Sequence, residues 1–259
     1  MIFVRAGISD IGHNRKIQED YINIYEWDKY MLAIVADGAG STPSSLQPAT
    51  IVTSQISEMI QRVGEMNTEL LEDNPAVILR EAFYAANKTL GAFKKANEEL
   101  YSGFGSSLTA CLFNQDDGSL TFGHIGNTRL YLLRKGKDGI GNLKLLTQDQ
   151  TKAKNLVDTG MITDEQYYLD PSRLEITGAL GFTTDPIIQT FHLPIRDKDI
   201  FLLTSDGIHY ALRPEAIQQI VLESEDCEHA AKNLIQASKM LEYSDNMSAI
   251  VIFASNETT

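Results

Sequence analysis

Cysteine is scarce in this sequence. Cys111 and Cys227 stand far apart, and Cys111 sits in the apolar run SLTACLF, where a thiol packs as a small hydrophobe. A disulfide-stapled scaffold is excluded, and both thiols read as reduced and structural. Long apolar runs are missing too. No stretch approaches the ~18 residues of a membrane span, and the opening Met1-Ile2-Phe3-Val4-Arg5 is too short for the core of a secretion signal. The expected compartment is the cytoplasm, with no membrane contact. Basic residues are outnumbered, 22 against 35 acidic ones for a formal charge of -13, and no basic run exceeds Lys94-Lys95. Such a chain repels a polyanion, so no nucleic-acid partner is expected. His13, His124, His192, His209 and His229 are scattered without ligand spacing, which argues against zinc. Internal repeats are absent as well. With 43% hydrophobic residues, the chain can bury a full core as one domain over residues 1–259, expected as a monomer.

What is present is a set of short apolar runs that end on acids. Tyr30 to Gly38 (YMLAIVADG) and Asp199 to Gly207 (DIFLLTSDG) have the pattern of strands buried on both faces, with an aspartate just past the end. SLTACLF (Ser107 to Phe113) and SLTFGHIGNTRLYLLRKG (Ser119 to Gly136) flank Asn114 to Gly118, a hairpin signal. A last strand, Ser248 to Phe253, follows Asp245-Asn246. Helices are expected after Asn74-Pro75, where Leu79, Phe83, Ala86, Leu90 and Phe93 recur at steps of three and four, and from Glu228 to Glu242, where Ala231, Leu234, Ile235, Ser238 and Leu241 share a side. Strands in runs and helices in separate blocks indicate an α+β layered domain. The polar, partly helical segment Thr147 to Arg173 reads as a mobile flap.

Any one of Asp37, Asp206 and Asp245, each beside a Gly or Asn, is by itself most simply a turn residue. As a set with Glu19-Asp20 they suggest more. Mg²⁺ and Mn²⁺ are hard cations that take oxygen ligands and keep several waters, so carboxylates converging from separate strand ends make a suitable cage.

The order and spacing of these segments resembles the type 2C serine/threonine phosphatases of the metal-dependent protein phosphatase family, bacterial type, over nearly the whole chain. The matching residues are Gly7 to Gly12 with Asn14-Arg15 and Gln18-Glu19-Asp20; Val35 to Gly40; Gly105-Ser106-Ser107; Gly126 to Tyr131; Leu146 to Asp149; Ile176 to Gly181; Thr204 to Gly207; and Ser244-Asp245-Asn246. The resemblance implies a four-layer α-β-β-α sandwich, two antiparallel sheets flanked by helices, with a flap at about 147–173. It implies two Mn²⁺ or Mg²⁺ ions: Asp37 bridging both, the Gly38 carbonyl on one, Asp206 and Asp245 on the other, and Glu19 and Asp20 binding directly or through waters. Arg15 would grip two phosphate oxygens, a task suited to a planar guanidinium; its plainer reading is a surface partner of Glu19. A water activated between the cations would attack phosphorus in line, with no phosphoenzyme. The implied substrate is a phosphoserine or phosphothreonine protein, with a signalling protein or a Ser/Thr kinase as the partner opposed.

Departures are visible. Ser41-Thr42-Pro43 replaces the usual continuation of the second segment, Ala39 stands where eukaryotic members carry histidine, Gly178 where arginine is frequent, and Gln150 where histidine is. Asn127 replaces an aspartate linked to a third metal, and an amide is a weak, uncharged ligand, which disfavours that ion. Rival chemistries fit less well. Gly38 to Thr42 lacks the P-loop lysine, position 39 denies an Asp-x-Asp nucleophile pair, and neither cysteine lies in an arginine-rich loop. The alternative in another class is a non-catalytic phosphoprotein-binding or scaffold domain on the same fold.

Overall fold

The computed structural model describes residues 1–40, 47–96, 98–101, 103–136, 141–241 and 245–256. Its strands are β1 (Ile2–Asp10), β2 (Asp20–Trp27), β3 (Tyr30–Ala39), β4 (Gly105–Asn114), β5 (Ser119–Ile125), β6 (Arg129–Lys135), β7 (Gly141–Leu145), β8 (Gln189–Pro194), β9 (Ile200–Thr204) and β10 (Met247–Ser255). Its helices are α1 (Pro48–Met66), α2 (Thr68–Asp73), α3 (Pro75–Ala96), α4 (Glu98–Tyr101), α5 (Lys152–Asp158), α6 (Asp164–Tyr167), α7 (Asp206–His209), α8 (Pro214–Glu223) and α9 (Cys227–Met240), with a 3-10 turn at Pro171–Leu174. The strands form two antiparallel sheets, β1-β10-β9-β6-β7 and β2-β3-β4-β5-β8. This is the expected two-sheet α+β sandwich.

Strand alternation divides the interior into three layers. On β3, Leu32 and Ile34 face α1 and α3, whereas Met31, Ala33 and Val35 face the other sheet. On β10, Ile250 and Ile252 point between the sheets, whereas Ala249 and Val251 meet α8 and α9. The inter-sheet layer changes character along its length. It is apolar where Phe3, Phe113, Phe122 and Phe201 pack, and toward the other end the inward positions become Ser107, Thr109 and His124.

Several sequence expectations need adjustment. Asp37 lies within β3, paired across to Asp20 and Ser107, and not past the strand's end. Asp206 opens α7. The run from Ser119 to Gly136 is two strands in different sheets, broken at Gly126, whose φ of 97 turns the chain from one sheet to the other. The β4–β5 hairpin forms as expected, with Asn114 paired to Ser119. Helix α1 was not read, although Ala49, Val52, Ile56 and Ile60 are spaced for one buried face; its β-branched content and a cap position, Gln47, without a side-chain cap bond leave a weak local signal. Ser41 to Pro43, Glu242 and Ser244 lie outside the described residues. Both cysteines are buried free thiols. Among the described residues no helix is long and apolar enough to cross a membrane.

Candidate metal and phosphate site

At the polar end of the inter-sheet layer, the same alternation that buries Val35 aims Asp37 inward, and the one that turns Ile22 inward does the same for Asp20. The two acids are direct cross-strand partners. Asp206 enters from the start of α7, and Asp245 from the residues before β10. Together Arg15, Glu19, Asp37, Gly38, Asp206 and Asp245 line a cleft of about 630 Å³, closed on one side by Leu174 and Ile176. Asp20 lies deeper and is buried. Its Oδ2 accepts hydrogen bonds from Ser205 Oγ at 2.6 Å and Ser248 Oγ at 2.8 Å. Gly38 must be glycine here: a Cβ would fall 2.8 Å from the Glu19 carbonyl oxygen, which accepts the Gly38 N–H at 3.1 Å.

This gathering of acids is costly. Burial, against the Ser205 and Ser248 hydroxyls, and the charge of Asp245 push Asp20 up to about 7. Burial and the charges of Asp245 and Asp20 push Asp206 up to about 8, with the Asn127 amide opposing. Asp37 is raised well above the carboxylate range by burial, then by Asp206, Asp20, Asp245 and Glu19. Among the described residues one cation answers them directly: Arg15 Nη2 lies 2.8 Å from the Asp245 carboxylate and its Nη1 3.7 Å from Glu19. Its side chain is 42% exposed at the cleft mouth.

The donor set fits hard divalent ions. It is all oxygen, strongly anionic, and offers no histidine or thiolate. Among the described residues no three of these side chains already close around one ion-sized point.

Residues without an expected role shape the site. Asn246, buried, accepts the Glu19 N–H at 2.8 Å and donates to the carbonyls of Ile11 (2.9 Å) and Ile17 (3.1 Å). It thereby pins the loop carrying Arg15 and Glu19 to the start of β10. Ser205 and Ser248 could have been noticed as polar residues at inward positions next to apolar strands. Asn127, flagged as a weak ligand position, is buried; its Oδ1 accepts from Ser107 Oγ at 2.8 Å, and its Nδ2 donates to Asp206 Oδ2 at 3.1 Å and Tyr210 Oη at 3.4 Å. Here the amide oxygen is engaged and the nitrogen faces the acid, so Asn127 serves Asp206 as a hydrogen-bond donor. Tyr210 in turn donates to the Arg173 carbonyl at 2.6 Å, with the Arg173 guanidinium 4.7 Å from its ring centroid. A continuous chain of contacts therefore links Asp206 to the 147–173 segment.

That segment is anchored by a buried ion pair. Arg129 Nε and Nη2 bond both oxygens of Asp149 at 2.9 and 2.7 Å, and Tyr167 donates to the same carboxylate. Burial would raise Asp149, but the Arg129 charge and hydrogen bonds bring it down to about 2. Gln150 occupies the space that a side chain at Gly178 would need: a Cβ there would meet Gln150 Oε1 at 1.9 Å. The two departures are one exchange of volume.

The chain is similar to known proteins over nearly its whole length. The protein phosphatase 2C family matches residues 10–242. The serine/threonine protein phosphatase PstP of Mycobacterium tuberculosis is 30% identical over 247 residues, 95% of this chain and 44% of that protein. The serine/threonine phosphatase stp of Listeria innocua is 26% identical over 218 residues, covering 83% and 81%. The crystal structure of the PstP catalytic domain in complex with two manganese ions superimposes with a TM-score of 0.79 at 28% identity, covering 98% and 99%. The S. agalactiae serine/threonine phosphatase shares the fold with a TM-score of 0.85 at 20% identity, covering 98% and 100%.

Proposed function

We propose a function from two premises: the chain belongs to the protein phosphatase 2C family, and its inter-sheet cleft concentrates carboxylates that burial alone would leave protonated. The reading is metal-dependent hydrolysis of phosphoserine and phosphothreonine in proteins. When bound, two Mn²⁺ or Mg²⁺ ions neutralise the acids, lower the pKa of a coordinated water and draw charge from the phosphoryl oxygens. Asp37, the Gly38 carbonyl, Asp206 and Asp245 would hold them, with Glu19 and Asp20 in support. Arg15 is held by Asp245. At the cleft mouth its planar guanidinium has the shape to take two phosphate oxygens. Leu174 and Ile176 present an apolar wall that restricts water on the substrate side. Asn127 keeps Asp206 oriented.

The observation that carries this reading is the convergence of Asp37, Asp206 and Asp245 on one cleft, with Asp20 buried as the cross-strand partner of Asp37. A scaffold domain has no reason to bear it, since buried like charges without cations destabilise a fold. The chain is read as one domain, with residues 147–173 as its flap, acting as a monomer in the cytoplasm on a signalling protein or on the target of a Ser/Thr kinase. Turnover of p-nitrophenyl phosphate and of a phosphothreonine peptide is expected with manganese, abolished by a chelator and by Asp206→Asn. Metal-independent turnover, or full activity in that variant, contradicts it.

A further inference from the structure

We propose that the groove of about 520 Å³ between the C-terminal half of α3 and residues 181–184 docks an acidic stretch of the phosphoprotein beside its phosphorylated residue, an inference that rests on the phosphatase reading above. Lys88, Lys94 and Lys95 line it together with Gly91 and Phe182, and among the described residues no acidic one does. In a chain with 35 acids against 22 bases, this is a local inversion of charge. Among the described residues, none of the three lysines makes an ion pair. Lys94 is half-buried, with its ammonium 5.5 Å from the centroid of the Phe182 ring, a cation–π arrangement that holds it facing the groove. Burial lowers its pKa, so an incoming carboxylate restores the stabilisation that lost water provided. Phe182 is 44% exposed and offers an apolar contact.

The floor supplies an independent observation. Gly91 lies inside α3, where glycine costs helix stability relative to alanine, and a Cβ there would meet nothing within 4 Å. Packing does not require the glycine, and the space above it is open. Lysines near a helix C-terminus are favoured by the helix dipole, which accounts for Lys94 and Lys95 but not for Lys88, two turns earlier, nor for Gly91.

The groove is also within reach of the cleft. Ala39, which lines the cleft, is the cross-strand partner of Gly105, and the Phe182 ring packs on Gly105 so closely that a Cβ there would fall 2.5 Å from it. Two such spacings amount to roughly 10 Å, about three residues of extended peptide. Acidic residues about three to five positions from the phosphorylated one would reach the lysines. The carboxylate cleft by itself repels such a peptide, and the displaced basic groove offsets that repulsion.

The test uses manganese-loaded protein and matched phosphothreonine peptides carrying either Glu or Gln at the third to fifth flanking positions. A roughly tenfold lower KM for the Glu peptide is expected with kcat unchanged, shrinking at high salt and lost in Lys88→Glu/Lys95→Glu. Gly91→Leu, which fills the groove while favouring the helix, should lose it too. Turnover of p-nitrophenyl phosphate, which has no flanking residues, reads the cleft alone. If that turnover is present but the Glu and Gln peptides have equal KM, or the preference survives charge reversal, the groove proposal is overturned. If no substrate is turned over, the phosphatase reading fails, and fluorescence anisotropy of a dye-labelled, unphosphorylated Glu-rich peptide still decides the groove. Binding weakened by Lys88→Glu/Lys95→Glu supports the groove; no binding, or binding indifferent to that variant, contradicts it.

Discussion

Two groups of acids are treated in opposite ways: Asp149, which is buried, and the cleft acids, of which Asp20 is buried and Asp37 and Asp206 are half-buried. Asp149, in the 147–173 segment, is gripped by Arg129 and brought down to about 2. Asp20 and Asp206 at the cleft are pushed up to about 7 and about 8, and Asp37 well above its usual range, with the partly exposed Arg15 as the one cation nearby among the described residues. The first group is complete within the protein and serves stability. The second is incomplete, and its deficit is positive charge. Acid content alone would not have separated them; the partner does.

The largest effect that sharpens this contrast is expected in the cleft. Asp37→Asn should lower manganese-dependent turnover by ~10³-fold or more, while raising metal-free stability by about 1 kcal/mol because one repelling charge is gone. Denaturant melts with a chelator check the second half. Next, Asp149→Asn should destabilise the fold by about 3–5 kcal/mol, since it leaves the Arg129 guanidinium buried without its counter-charge; urea unfolding reads it.

The pH dependences should also run in opposite senses. For Asp20 and Asp206 the folded pKa exceeds the unfolded one of about 4, so the native state binds more protons in between, and metal-free stability should fall as pH rises from about 5 to 8. For Asp149 the folded value is depressed, so its contribution is full above about pH 4 and is lost as pH falls toward 2. Thermal melts across pH, with and without manganese, check both; the stabilisation by metal should be larger at pH 8 than at pH 6. A smaller effect is expected where the two groups meet. Tyr210→Phe removes the bond to the Arg173 carbonyl and should cost about 1 kcal/mol, with faster proteolytic cleavage within residues 147–173.

Much of this was legible in the residues. Alternating or continuous apolar runs ending at Asp37 and Asp206 located β3 and β9, because period-2 burial is written in composition. The pairing of distant acids was accessible through spacing and family resemblance. What stayed hidden was contact chemistry. Asn246 stapling the Arg15 loop and the exchange of volume between Gln150 and Gly178 join positions far apart in the chain, and no local pattern marks them; Ser205 and Ser248 show locally only as polar residues at inward positions, without their bond to Asp20. Helix α1 was missed for another reason: its valines, isoleucines and threonines favour strand locally, and packing on β3 overrides them.

The central claim is that the cleft's uncompensated acids take up two divalent cations together. Manganese titration followed by calorimetry and electron paramagnetic resonance tests it most directly. Two ions per chain with a magnetically coupled signal, the coupling lost in Asp37→Asn, is the predicted result. No bound ion, or a single uncoupled ion indifferent to Asp37→Asn, would contradict it.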